Sequence, residues 1–119
     1  SSCGRFLAVS RTISASILQR AYVGGLHIYN AATGALLHES DTHGDSPNRL
    51  EWCEHTRSFN AQINDDYIVI RERDGQFTAR TRTISGLIDA VAIPGTSTIA
   101  HMRYGLLRSS KIEFLDLGA

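Results

Sequence analysis

An internal repeat about forty residues long runs through this sequence. Gly24–Ser40, GGLHIYNAATGALLHES, overlays Asp65–Thr81, DDYIVIRERDGQFTART, at an offset of 41 residues. Gly34 then falls on Gly75, and Leu26–Ile28–Tyr29 on Tyr67–Val69–Ile70. The same shift carries Asn48–Trp52 (NRLEW) onto Asp89–Ile93 (DAVAI), and a further copy of the strand stands at Lys111–Leu117 (KIEFLDL). A repeat of this length cannot bury its apolar side alone and must stack on a neighbour. The chain therefore reads as a single β-repeat module over residues 1–119. Its units fall approximately at 1–40, 41–82 and 83–119.

Strand signals fill the units. Phe6–Ser10, Leu26–Asn30, Ala35–His38, Arg49–Trp52, Phe59–Ile63, Tyr67–Arg71, Phe77–Arg80, Leu87–Ile93, Thr98–Met102 and Ile112–Leu117 are short runs rich in β-branched or aromatic residues. Turn residues such as Asn64-Asp65-Asp66, Asp74-Gly75 and Pro94-Gly95 separate them. That punctuation predicts an all-β fold of antiparallel units. Tyr67–Ile70 is apolar on consecutive residues, as a strand covered on both faces would be. Two segments also fit a helix. Ile84, Leu87, Ile88 and Val91 have helical spacing, with Ser85 and Pro94-Gly95 at suitable ends, but the repeat sets this stretch over Arg49–Trp52 and predicts a strand. Arg11–Val23, with Ile13, Ile17 and Ala21, is an insertion relative to the repeat and stays open.

Each unit runs strand, turn, strand, turn, strand with a polar end, then a glycine turn and a fourth strand. In this grammar the sequence resembles a degenerate WD-repeat β-propeller. Tyr29-Asn30, Ile70-Arg71 and Leu115-Asp116 occupy the family's Trp-Asp place, and His43 stands nine residues before Trp52. The resemblance implies propeller-like blades and structural roles for His43, Trp52, Asp65 and Asp116, with His43 tied to Asp65 or Asp66. On this alignment the first copy starts at its second strand and the third stops after its third. Three partial blades form an incomplete ring, since propellers have about 4–8 blades.

The chemistry-bearing residues are sparse. Cys53-Glu54-His55 places a thiol near an imidazole, but the metal spacings Cys-x-x-Cys and His-Glu-x-x-His are missing. Neither a Gly-x-Ser-x-Gly elbow nor a phosphate-binding glycine loop occurs. No catalytic residue, metal or cofactor is expected. Acidic and basic residues balance at 12 each, which argues against a nucleic-acid or anionic-membrane partner. No apolar run is long enough for a membrane helix. Cys3 and Cys53 could form one bridge, but two free thiols in a reducing, cytoplasmic compartment is the preferred reading.

Eleven of the twelve basic residues are arginine. Arg71, Arg73, Arg80 and Arg82 are dense in the second copy, and with Tyr67, Phe77 and Tyr29 they suggest an aromatic–arginine surface. The insertion between Ser10 and Leu26 adds Arg11, Arg20 and Tyr22, and a shorter one between Met102 and Lys111 adds Arg103 and Tyr104, as further protein-binding candidates. The expected function is a non-catalytic protein-binding scaffold. Its partner would be another protein, the remainder of a longer propeller or a second copy of the chain. The alternatives are the propeller domain of a larger enzyme such as a peptidase, a self-assembling piece, or a sandwich or lectin-like β-domain.

Overall fold

A computed structural model of the chain describes residues 4–14, 22–41, 47–104 and 110–118. They form ten strands in chain order: β1 Phe6–Ser14, β2 Tyr22–Asn30, β3 Leu36–Asp41, β4 Asn48–Cys53, β5 Ser58–Ile63, β6 Asp66–Arg73, β7 Gln76–Thr83, β8 Leu87–Ala92, β9 Thr98–Tyr104 and β10 Ser110–Asp116. The strands build three antiparallel sheets, ordered β1-β2-β3, β4-β5-β6-β7 and β8-β9-β10. Every neighbour in a sheet is also the neighbour in sequence. The turn between β6 and β7 shows why: Asp74 and Gly75 both have positive φ, 53° and 79°, between the paired Arg73 and Gln76. Two such residues suit the twist of a tight hairpin.

The all-β reading holds, and the expected strand counts of three, four and three are those observed. Leu87–Ala92 is the strand that the repeat requires and not the helix that its spacing allowed. A register shift between Leu87 and Asp89 explains the conflict. The extra residue moves the alternation by one, so Leu87 and Ala90, three apart, enter the same buried cluster. The Arg11–Val23 insertion is also resolved in part. Arg11–Ser14 and Tyr22–Val23 prolong β1 and β2 in one unbroken register ending at Ser14↔Tyr22.

The middle sheet lies between the other two. Phe59, Ala61, Ile63, Ile68 and Ile70 pack against Phe6, Leu26 and Ile28 of the first sheet. On the opposite face, Tyr67 and Val69 pack against Leu87, Ala90 and Ile99 of the third. Equivalent strands meet across these layers: β3 lies against β7, and β4 against β8. The first and third sheets share no buried apolar cluster among the described residues.

The two layers differ in chemistry. The first is aromatic: Phe6 meets Phe77 edge-on at 5.1 Å and Trp52 at 6.2 Å. The second is largely polar. Ser58 donates to Asn60 Oδ1 at 2.6 Å, and Asn60 donates to the Tyr67 hydroxyl at 3.0 Å, all buried. Gln62 donates to the Ile88 carbonyl, and the Ala92 N–H donates to Glu51 at 2.8 Å. Most polar groups buried here meet a partner rather than a hydrocarbon wall; Gln62 Oε1 and His101 Nδ1 have none among the described residues.

Candidate functional site

The β6–β7 hairpin sets four arginines on one face. Side chains alternate along a strand, and the register pairs Val69 with Arg80, Tyr67 with Arg82 and Arg71 with Thr78. Arg71, Arg73, Arg80 and Arg82 thus share the side that Tyr67 and Val69 present to the third sheet. With Val69 and Leu117 they line a hollow of about 570 Å³. Among the described residues no carboxylate lines it.

Most nearby carboxylates are engaged elsewhere; Asp74, beside Arg73 in the hairpin turn, is exposed. Glu72 projects to the opposite face, where it accepts from Arg57 at 2.6 Å and from the Gly75 N–H at 3.0 Å. The Gly75 N–H first, and then the Arg57 guanidinium, hold its carboxyl below the ordinary value. Asp66 accepts from Thr83 at 2.7 Å. Asp89 pairs with Arg49 and Glu113 with Arg103, at 3.1 and 3.0 Å. Among the described residues no ion pair reaches the four arginines of the hairpin. Arg71 alone has a hydrogen-bond acceptor, the Gly118 carbonyl.

This face is bare for a topological reason. β3, the last strand of the first sheet, lies against one side of β7. A strand beyond β10 would cover the other side, and among the described residues none lies there. Every β7 side chain except the half-buried Phe77 is exposed, the arginines among them. Arg71 and Arg73 also line a second hollow of about 720 Å³, with Arg5, His55, Arg57 and the carboxylates Glu72 and Asp74.

The expected aromatic–arginine surface is not assembled. Phe77 points to the opposite face, against Phe6. Tyr29 lies in β2 of the first sheet. Tyr67 shares the arginine face but is buried. The error has one cause, since nearness in sequence ignores the two-residue period of a strand.

The remaining candidates lie apart. Arg20 and His43 fall outside the described residues, so the expected tie from His43 to Asp65 or Asp66 does too. Arg11 belongs to β1, and Tyr22 opens β2. Arg103 in β9 is held by Glu113, while Tyr104 ends that strand exposed. Asp65 is exposed; its carbonyl accepts the Ile84 N–H at 2.7 Å. Asp116 accepts from Ser97 at 2.7 Å and from the Gly118 N–H at 2.9 Å. Asn30, in the equivalent place, accepts from the Ala32 and Thr33 N–H groups. Both act as caps that end their strands.

Trp52 is half-buried rather than deep. It stacks edge-on against Phe59 at 4.8 Å and donates its indole N–H to Glu54 at 2.6 Å. The first sheet has no described strand opposite β4, so the outer side of the ring stays open. Cys53 is half-buried and free. Burial first, and then the Glu51 charge, push its thiol up to about 11, which keeps it protonated at neutral pH. His55 is exposed in the following turn. No cluster of three His, Cys, Asp or Glu among the described residues could hold a metal ion. No helix among them is long and apolar enough to cross a membrane.

The inter-sheet chain Ser58–Asn60–Tyr67 was not foreseen. Its signal was the alternation of Ser58, Asn60 and Gln62 with Phe59, Ala61 and Ile63, which by itself reads as one wet and one dry face. All six residues are buried. No family model, no curated protein and no solved structure matches this chain.

Proposed function

We propose that the chain is a non-catalytic protein-binding scaffold, part of a WD-repeat-like propeller, and that it holds an acidic segment of another protein on its arginine face. Three meander sheets stacked with equivalent strands in contact support the blade reading. A hollow lined by four arginines and by no carboxylate among the described residues carries the binding reading. Guanidinium groups offer planar, forked donors that suit carboxylates, and like charges crowded on one face gain most from an anionic partner. The balanced charge of the whole chain favours a local acidic segment over a long polyanion.

A fluorescein-labelled, glutamate-rich peptide tests this by anisotropy, beside its glutamine counterpart and a single-stranded oligonucleotide of equal charge. The glutamate peptide should bind, more weakly as salt rises, and Arg80→Ala with Arg82→Ala should remove most of the binding. Equal binding by that variant, or a preference for the oligonucleotide, would overturn the proposal.

A further inference from the structure

Resting on that reading, we infer that the acidic partner segment binds as an added fourth strand of the third sheet, antiparallel to β10. Two independent features of the fold point to the same place. The first is the outer edge of β10. Among the described residues β10 pairs only with β9, so its other side offers a row of unpaired backbone N–H and C=O groups, a template for another strand. The second is the arginine face itself. β3, added outside β2, lies against β7 from one side. A strand added outside β10 would lie against β7 from the other, over Arg80 and Arg82.

The spacing fits. Arg80 and Arg82 are two residues apart on one face of β7, about 6.8 Å along the strand. Carboxylates at alternate positions of the added strand repeat at the same distance, across a sheet separation of about 10 Å that two long side chains can bridge. The other positions of the added strand would point outward beside Ile112 and Phe114. These are exposed by 66% and 69% on the outer face of β10, and cross-strand apolar pairs would cover them. The segment recognised is therefore extended, with acidic and apolar residues in alternation.

A second copy of this chain fits less well. Its own β10 would bring one inward carboxylate, Glu113, which is already held by Arg103 at 3.0 Å.

The experiment uses the full chain and three labelled peptides of one composition. One alternates glutamate and valine, one has them in two blocks, and one alternates but carries N-methyl groups on the amides that would face β10. The alternating peptide should bind at least about tenfold more tightly than either of the others. Arg80→Ala with Arg82→Ala should weaken it by about tenfold or more, as expected for lost charge-assisted contacts. The N-methyl comparison needs no change in the protein, so it stands even if that variant folds poorly. Equal binding of all three peptides, still weakened by the arginine variant, would overturn strand addition while leaving the acidic-partner reading intact. Binding of none would end both. Self-association of the chain that blocks the alternating peptide would show a second copy on the β10 edge, and would likewise overturn the inference.

Discussion

At the scale of single residues, the polar layer between the middle and third sheets makes the sharpest demands. Asn60 has two buried partners, Ser58 and Tyr67. Tyr67→Phe removes the acceptor of the Asn60 amide without leaving room for water. It should lower stability by about 1–3 kcal/mol, the usual cost of an unsatisfied buried group, measured by urea unfolding. Gly75 makes a different demand. A methyl group there would meet nothing within 4 Å, but its φ of 79° is strained for any L side chain. Gly75→Ala should therefore cost about 1 kcal/mol through backbone strain alone. Glu72 contributes to the acid limb, as do Asp89, Glu113 and Asp116, whose carboxyls their partners also lower. The folded value of Glu72 lies below its ordinary 4.5, so its contribution is present above that value and is lost as pH falls through the folded value. The unfolding midpoint should drop as pH is lowered below about 4.5, and Glu72→Gln should flatten that drop. An unchanged slope in the variant would contradict the role given to the Gly75 and Arg57 contacts.

At the scale of elements, much was legible in the sequence. Each of the ten strands was visible as an apolar or β-branched run, because turn residues such as Asp74-Gly75 have few other uses. The repeat also foretold that the third unit would open on a strand at Leu87, against its helical spacing. What stayed hidden was direction. Phe6 and Phe114 both stand in strand-forming runs of the sequence, yet Phe6 is buried and Phe114 is not. Only sheet stacking decides which of two alternating faces meets a neighbour. Arg71 and Phe77 are close in sequence and lie on opposite sides of one hairpin for the same reason. The buried Asn60 was illegible because its alternation matches that of a strand with one face in water.

At the scale of the whole molecule, the stack is open. The chain measures 49 × 45 × 17 Å, with a radius of gyration of 15.3 Å. A compact domain of this length would have about 13.5 Å. The middle sheet supplies most of the core, and each flanking sheet leaves a broad face uncovered. On the first sheet that face carries Leu7 and Leu36, exposed by 53% and 52%, with Val9 beside them. Apolar area of this kind on an isolated chain seeks cover. Light scattering at tens of micromolar should give a mass above the 13.1 kDa of one chain, and Leu7→Lys with Leu36→Lys should restore the single-chain mass. That contact is face on face and leaves the β10 edge and the arginine hollow free.

Among these surfaces the arginine face is the one proposed to bind a partner, and residue-level mapping tests that most directly. The Leu7→Lys, Leu36→Lys chain, labelled with nitrogen-15, would be titrated with the alternating glutamate–valine peptide while its amide resonances are followed. The shifts should concentrate on Arg71–Arg73, Thr78–Arg82 and Ser110–Asp116, and leave β1 and β2 unmoved. Shifts confined to the first sheet, or no shifts at saturating peptide, would contradict the assignment of partner binding to this face.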